Sequence, residues 1–394
     1  MIIFTLLEFF FKNKFLQTII INVCLLILLS TIFSCFSGSK QEQNNIIKSF
    51  GEPDSLYQPV YSKGFRIYYY GQDKVVEIFN PFDVELASDF FLINNSGREN
   101  VFGIPEIKAP VENWAAFSST QVIMAEKLGL METLKSVAEP EYISNQTVKD
   151  KISEGIIKNV GQAFEPDIEI LLMSQPQFIF VSPFKDNQYS RLQDAGLITV
   201  PDAGYMESVP LGRVEWIVCF GAFFNLEHQA IKIFKEAEKS YNETKLILAE
   251  DRQKPTVVSG TLYQDVWFLP AGESYIAALF RDSGASYPYS DTKGTGSLSY
   301  DFEKVFFDTQ DCDFWMITIN FPGNFTYENF KLMDERYAEF KAFKDKRIIY
   351  SNTYNSGYYE YGWMEPQTIL KDLAKAFHPQ LFPEHKPVFF NILQ

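Results

Sequence analysis

Hydroxyl and aromatic side chains follow the ends of the predicted strands, where a binding site can form. Ser118, Ser119 and Thr120 come directly after the apolar segment 114–117, and Phe184 follows the apolar segment 178–181. In chain order, the candidate ligand-binding residues are Ser118, Ser119, Thr120, Phe184, Tyr205, Tyr263, Trp267, Phe268, Asn320 and Tyr354. Because the carboxyl ends of parallel strands meet at one edge of a sheet, we expect these residues to line a cleft. Their aromatic character suits a large flat or amphipathic ligand. The alternative for about half of them is core packing or surface tyrosine, since 16% of the chain is aromatic.

Several further side chains extend this candidate set. Lys185 follows Phe184, and Tyr358 and Tyr359 follow Tyr354. Arg213 and Arg281 could pair with an anionic chelate, although a structural salt bridge is an equal alternative for Arg213.

No short catalytic or cofactor motif is present in the sequence. GxGxxG, GxxxxGK[ST], HExxH and GxSxG are all absent, and no predicted strand leads into the glycines of 294–296. The three histidines, His228, His378 and His385, are scattered rather than placed at ligand spacing. We therefore expect no catalytic residue, no bound metal and no cofactor.

The elements that must position these residues alternate between strand and helix. Segments 114–117, 178–181 and 197–200 predict strands, and helices are predicted after 118 and over 187–195. Helical periodicity continues over 208–250, where Gly221 and Asn225 could introduce a kink. The same alternation resumes after Pro255, with a strand at 314–319 and helices over 328–343 and 366–377. Before all of these, 65–70 and 75–79 flank a turn and predict a β-hairpin.

The charge of the chain limits its partners. With 35 Lys and Arg against 50 Asp and Glu, the formal net charge of this 394-residue chain is −15. That sign argues against a nucleic-acid-binding protein and against a basic membrane-surface patch.

The first 34 residues have the features of a targeting segment. Lys12 and Lys14 precede an apolar run that ends at Cys35, as in a bacterial lipoprotein signal peptide, and Cys35 would carry the lipid. The alternative is one uncleaved membrane anchor, because the run of about 20 residues is long enough to span. Cys219 and Cys312 lie in apolar surroundings and are expected to be buried thiols rather than a disulfide.

Several stretches resemble one known family. They are 61–65 (YSKGF), 142–145 (YISN), 210–216 (PLGRVEW), 255–257 (PTV), 267–272 (WFLPAG) and 377–381 (FHPQL). Over about 61–394 the chain resembles the substrate-binding lipoproteins of ABC importers for iron complexes and cobalamin, in a form common in Bacteroidota.

The resemblance implies a fold and a domain order. The expected fold is α/β, with two Rossmann-like lobes joined by one long α-helix (a class III periplasmic binding protein) and an N-terminal β-hairpin extension. The expected segments are 1–34, lipoprotein signal peptide; 35–58, flexible tether; 59–207, N-terminal lobe with the hairpin; 208–250, inter-lobe helix; and 251–394, C-terminal lobe.

The resemblance also implies partners. Glu169 and Glu303 occupy the positions of the carboxylates that meet arginines on the membrane permease. The chain is then expected to be a monomeric, lipid-anchored periplasmic protein that binds a metal chelate and works with an ABC permease and its ATPase. A ferric siderophore is the favoured ligand, with cobalamin or haem as alternatives within the family. A chelatase-like enzyme is the alternative from another class.

Overall fold

The computed structural model describes residues 46–82, 88–100, 103–185 and 189–394. The signal peptide, Cys35 and the first part of the expected tether lie outside these residues, so those predictions stay predictions. No helix in the described ranges combines the length and the apolar character needed to cross a bilayer.

The described chain begins with an antiparallel sheet to which one parallel strand is added. Its strands, in spatial order, are β1 (Ser55–Tyr57), β2 (Phe65–Tyr70), β3 (Asp73–Ile78), β4 (Asp89–Asn94) and β5 (Glu106–Lys108). The predicted hairpin is confirmed as β2 and β3, which pair from Tyr70 and Asp73 outward. Gly71 has φ 63° in the connecting turn, a conformation that side-chain-bearing residues avoid.

Residues 46–58 are folded, which corrects the expected flexible tether over 35–58. Residues 46–50 are helical, and Ile46, Ile47 and Phe50 pack against a small apolar cluster of the first sheet. β1 pairs with β2, with Leu56 opposite Tyr68. The Gln- and Asn-rich composition of 35–58 concealed these apolar residues, which provide enough burial to order the segment.

The first α/β lobe contains a five-stranded parallel sheet in the order β12-β11-β6-β7-β8. Its elements are β6 (Trp114–Ala116), α1 (Ser119–Leu128), β7 (Leu134–Val137), α2 (Gln146–Ser153), β8 (Lys158–Asn159), β9 (Gly161–Gln162), β10 (Glu165–Pro166), α3 (Ile168–Ser174), β11 (Ile179–Val181), α4 (Ser190–Asp194) and β12 (Thr199–Pro201). Short β9 and β10 pair with each other outside the main sheet.

Two helices follow where one was expected over 208–250. They are α5 (Pro210–Ala222) and α6 (Glu227–Ala249). The chain turns back between them, with Asn225 in the left-handed region at φ 59°. A Cβ on Gly221 would lie 2.9 Å from the Cβ of Ala230, so α6 packs against the end of α5 more closely than a side chain at 221 allows. The break lies at Gly221 and Asn225, where the sequence indicated a kink, but the helical periodicity persists through the turn because both helices bury apolar faces, and it therefore predicted one helix instead of two.

The second helix, α6, connects the two lobes. Near its start, Glu227 forms a buried ion pair with Lys74 of β3 at 2.9 Å. Further along, the Tyr241 hydroxyl donates to Asp282 at 2.9 Å, and Leu248 packs against Ala374 and Phe382 of the second lobe. At 23 residues, α6 is about 35 Å long, enough to bridge two lobes.

The second lobe has two sheets. β13, β17 and β18 are parallel, β19 joins them antiparallel, and β14, β15 and β16 form a separate antiparallel sheet. Its elements are β13 (Val257–Ser259), β14 (Leu262–Tyr263), β15 (Val266–Pro270), α7 (Tyr275–Asp282), β16 (Ser297–Tyr300), α8 (Phe302–Thr309), β17 (Phe314–Ile319), α9 (Tyr327–Met333), α10 (Lys341–Lys344), β18 (Ile348–Asn352), α11 (Tyr358–Tyr361), α12 (Pro366–Phe377) and β19 (Asn391–Ile392).

The α/β architecture of two lobes joined by a helix is thus confirmed, with α6 as the connecting helix. Aromatic clusters fill both lobes. Trp114, Phe178, Phe180 and Phe220 pack together in the first, and Trp267, Trp315, Tyr337 and Phe340 pack together in the second. Burial of these large side chains stabilises each lobe around its own sheet.

Candidate ligand-binding cleft

A cavity of about 790 Å³ lies between the two lobes, at the carboxyl ends of their parallel strands. From the first lobe, Ser182 follows β11 and Asp202 follows β12. From the second lobe, Ser259 ends β13 and Thr318 lies near the end of β17. The volume is in the range of small-molecule sites, and its position is the one at which open α/β sheets bind ligands.

Nine of the ten candidate ligand-binding residues border this region. Ser118, Thr120, Phe184, Tyr205, Tyr263 and Phe268 line the cavity itself. Ser119, Asn320 and Tyr354 line an adjoining cavity of about 830 Å³, which shares Ser118 and Phe184 with the first. Tyr358 lines the first cavity and Tyr359 lines both. The structure therefore brings together residues from both lobes that lie far apart in the chain, from Ser118 to Tyr359.

The first of these residues are held by the start of helix α1. Ser118 is its N-cap, and the Ser118 hydroxyl accepts from the amide of Thr120. The helix ends at Gly129, whose φ of 73° terminates the hydrogen-bond ladder. This short connection from β6 to α1 fixes the hydroxyls of Ser118 and Thr120 at the cleft.

Trp267 is the exception, and its predicted ligand contact is wrong for this structure. Its side chain is 0% exposed. Its ring stacks on Trp315 and its Nε1 donates to the Ser259 carbonyl at 3.0 Å. Residues alternate sides along β15, so the neighbouring Phe268 faces outward while Trp267 faces the core.

The two arginines also separate. Arg281 is highly exposed, pairs with Asp282 at 3.1 Å, and does not line the cleft. Arg213 lines the cavity, and its Nε donates to the Glu207 carbonyl at 2.8 Å. Lys185 is exposed but is not among the residues lining either cavity.

The candidate set from the sequence did not include several of the lining residues, among them Asp202, Tyr275 and Trp363. Asp202 follows β12 directly. The expectation that residues after strand ends line the cleft, which selected Tyr205, therefore applies to Asp202 as well. Tyr275 begins α7, and Trp363 lies in a short turn after α11. Neither of these two follows a predicted strand, and no sequence pattern distinguished them from core aromatics.

Asp202 is a buried carboxyl group in this cleft. Burial raises its pKa from 3.8 to about 6, although the Gly204 amide and the Gln121 side chain donate hydrogen bonds that oppose the increase. Around neutral pH, the folded protein therefore keeps a negative charge there at a cost in stability.

We expect Asp202→Asn to stabilise the protein above pH 6 and to have little effect at pH 4. Between pH 3.8 and 6 the folded state binds a proton that the unfolded state has lost, so the free energy of unfolding falls as pH rises through this window. Removing the carboxylate should raise the free energy of unfolding by up to about 3 kcal/mol at pH 7.5. Urea denaturation at pH 4, 5.5 and 7.5 measures this difference. An equal effect of the substitution at all three pH values would contradict the prediction.

Polar contacts join the lobes beside the cleft. Lys127 at the end of α1 pairs with Glu365 of the second lobe at 2.9 Å. The Ser144 amide donates to Glu360 at 2.7 Å, and the Tyr361 hydroxyl donates to Glu126 at 3.3 Å. These contacts hold the segment around α11, which carries Tyr358 and Tyr359, against the first lobe.

Histidine and cysteine residues have structural positions. His378 pairs with Asp251 at 3.1 Å and His385 with Asp372 at 2.7 Å, both in the C-terminal part of the chain. Cys219 and Cys312 are buried free thiols, as the sequence predicted. Within the described residues, no group of three or more His, Cys, Asp or Glu side chains is arranged to hold a metal ion.

The two expected docking carboxylates occupy equivalent positions on different lobes. Glu169 is the second residue of α3 and Glu303 the second residue of α8, and both are exposed. Each helix is capped by an aspartate, Asp167 or Asp301, that accepts from the amide three residues later. Glu303 also lies 3.8 Å from Arg336.

Comparison with known sequences identifies the family. Residues 115–353 match the family described as periplasmic binding protein. The chain belongs to the periplasmic binding protein family. The resemblance found in the sequence is thereby confirmed for the family as a whole.

Relatives and solved structures agree with this assignment. Two uncharacterized lipoproteins of Methanocaldococcus jannaschii are similar to the chain. The first is 27% identical over 366 residues, 84% of each protein; the second is 24% identical over 308 residues, 75% of this chain and 78% of the relative.

Solved periplasmic binding proteins share the fold at low sequence identity. A periplasmic binding protein of Veillonella parvula superposes with a TM-score of 0.58 at 14% identity, covering 78% of this chain and 99% of that one. A periplasmic heme binding protein of Pseudomonas aeruginosa superposes with a TM-score of 0.54 at 14% sequence identity, covering 72% of this chain and 98% of that one. A protein of an ABC-type Fe3+-hydroxamate transport system of Saccharomonospora viridis superposes with a TM-score of 0.52 at 13% sequence identity, covering 68% of this chain and 94% of that one.

Proposed function

We propose that this periplasmic binding protein is the substrate-binding component of an ABC importer. It captures a ferric siderophore or a similar iron complex between its lobes and delivers the complex to an inner-membrane permease and its ATPase. In this role the protein binds its ligand without catalysing a reaction.

The observation that carries the proposal is the aromatic rim of the inter-lobe cavity. Exposed aromatic side chains from both lobes border it, where exposed aromatic groups would otherwise be costly. They are Phe184, Tyr205, Tyr263, Phe268 and Tyr359. Rings placed on both sides of a cavity of about 790 Å³ can pack against a flat or amphipathic ligand. A metal held inside an organic chelator is a ligand of this kind, whereas a bare ion needs a shell of donor side chains.

The names of similar proteins support the same class of ligand. The structures that share the fold include proteins described as binding heme and as part of Fe3+-hydroxamate transport. The lipoprotein relatives support anchoring of the mature chain through Cys35. We place the two lobes on the periplasmic side of the membrane, with Cys35 as the lipid-bearing residue.

A titration of the soluble form that starts after Cys35 tests the proposal. The ligands are ferrioxamine B, ferric citrate, haem and cyanocobalamin, and the signal is tryptophan fluorescence, because Trp363 lines the cleft. We expect saturable quenching with a Kd in the micromolar range or below by an iron complex. Tight binding of cyanocobalamin alone would move the function to corrinoid uptake. The absence of binding by all four ligands would contradict the proposal.

A further inference from the structure

Arg213 is a cation in the wall of the cleft. It lies one turn into α5 and lines the inter-lobe cavity. Its guanidinium carbon is 3.8 Å from the ring centroid of Tyr275, and its Nε donates to the Glu207 carbonyl. Burial lowers its pKa, so the surroundings disfavour the charge. The ring stacking and the single backbone hydrogen bond fix the guanidinium and leave its two terminal nitrogens available.

Arg213 forms no ion pair with a carboxylate within the described part of the chain, although the Glu207 carboxylate lies near enough to favour its charge and so raise its pKa. No Asp or Glu side chain forms an ion pair with Arg213 there, and one carboxylate oxygen of nearby Glu207, Oε1, already accepts three hydrogen bonds. Glu207 accepts from the Ser62 hydroxyl at 2.6 Å, the Lys63 amide at 2.8 Å and Trp216 Nε1 at 3.2 Å. The structural salt bridge that the sequence left open for Arg213 is therefore not formed. A largely desolvated cation without an ion-pair partner is costly, and a ligand that supplies the opposite charge would offset this cost.

Two more donors in the same cavity lack a protein acceptor. The Tyr275 hydroxyl and Trp363 Nε1 are buried, with their residues 6% and 8% exposed, and neither has a hydrogen-bond partner among the described residues. Both residues line the cavity together with Arg213. Indole Nε1 can only donate a hydrogen bond, and guanidinium nitrogens can only donate. The Tyr275 hydroxyl stays protonated at neutral pH, since burial raises its pKa to about 12.

The three groups thus present hydrogen-bond donors and positive charge, and what they lack is an anionic oxygen acceptor. We propose that Arg213, Tyr275 and Trp363 form a carboxylate-binding subsite in the wall of the inter-lobe cleft. This inference rests on the proposed function, because it assigns a chemical group to the ligand that the cleft captures. A carboxylate offers two oxygens to the planar guanidinium, and the aromatic rim then holds the remainder of the ligand.

Ligand pairs with and without carboxylates distinguish binding at this subsite from the general affinity of the cleft for its ligands. Haem carries two carboxylates and haem dimethyl ester carries none, while ferric citrate carries carboxylates and ferrioxamine B carries no free one. We expect the wild-type protein to bind the carboxylate-bearing member of at least one pair more tightly. Arg213→Met should weaken that binding about 100-fold and change the affinity for the other member less than about threefold.

Conservative variants keep the test valid if Arg213→Met fails to fold. Tyr275→Phe removes only the hydroxyl, and Trp363→Phe removes the indole N–H donor while keeping a smaller aromatic ring; each should weaken binding of the carboxylate-bearing ligand about five- to tenfold. Arg281→Met is the matched control, since Arg281 is exposed outside the cleft, and it should leave all affinities unchanged.

Two results would overturn the inference while leaving the proposed function intact. One is unchanged affinity of the Arg213 and Tyr275 variants for the carboxylate-bearing ligand that the wild type binds. The other is equal loss of affinity for both members of a pair. If the wild type binds none of the four ligands, the proposed function fails and the inference fails with it.

Discussion

Glu215→Ala is expected to lower the free energy of unfolding by about 3–5 kcal/mol, the largest effect on stability that we predict for a single substitution. Glu215 is 0% exposed in the middle of α5. Its carboxylate accepts hydrogen bonds from the Val60, Tyr61 and Ser62 amides, each at 2.8 Å, and from the Tyr57 hydroxyl at 3.0 Å. Alanine would leave these four donors without their acceptor in a largely buried place.

Glu215→Ala also alters the support of a helix that borders the cleft. Glu215 ties the N-terminal sheet to α5, and Arg213 lies on the same helix two residues earlier. Urea denaturation of the soluble form, followed by circular dichroism, measures the loss. Glu236→Ala on the exposed side of α6 is the control and should change the free energy of unfolding by less than about 0.5 kcal/mol. A free energy of unfolding for Glu215→Ala within about 1 kcal/mol of the wild-type value would contradict this prediction.

The double variant Glu169→Arg, Glu303→Arg is expected to abolish uptake while keeping ligand affinity. The two carboxylates are exposed on α3 and α8, one on each lobe. One turn after each of them is a prominently exposed apolar side chain, Met173 at 84% and Phe307 at 80%. A carboxylate beside an apolar group on both lobes suits a partner surface that pairs arginines with apolar pockets. Reversing both charges would replace two attractive contacts with two repulsive ones.

Uptake of the bound ligand by cells that carry the variant gene measures this effect. We expect a loss of at least about 100-fold in uptake, with the Kd of the purified variant within about twofold of the wild type. The control is Glu236→Arg, Glu243→Arg on α6, which makes the same change in net charge on the connecting helix. Normal uptake by the Glu169 and Glu303 double variant, or equal loss in the control, would refute the docking role.

The elements that the sequence predicted well are those whose signals are local. Ser118 and Gly129 mark the two ends of α1 by their cap preferences, and Pro366 begins α12 where a first-turn proline is favoured. Alternating strands and helices then place the strand ends, and hence most of the cleft residues, on one edge of each sheet.

The elements that it predicted poorly depend on contacts between distant parts of the chain. The expected helix over 328–343 is divided into α9, a short 3₁₀ turn and α10, because Asp334 leaves α9 and caps that turn. The close packing of Ala230 on Gly221 accompanies the break between α5 and α6; Gly221 and Asn225 indicated a kink there, but the periodicity of 208–250 did not show that two separate helices form. Trp267 and Phe268 are adjacent aromatics, and only the sheet decides which of them faces the cleft.

The most direct test of the central claim is whether the inter-lobe cleft is the place where the ligand binds. Thr318 is exposed on the cleft wall, so Thr318→Trp would fill the cavity without disturbing the core. Gln253→Trp is the matched control, because Gln253 lines a separate groove of the second lobe. Isothermal titration calorimetry would use whichever of ferric citrate, ferrioxamine B, haem and cyanocobalamin binds the wild type most tightly. We predict that Thr318→Trp loses binding by at least about 100-fold and that Gln253→Trp binds like the wild type. Wild-type affinity in Thr318→Trp, with loss in Gln253→Trp, would place the ligand outside the cleft and contradict the account.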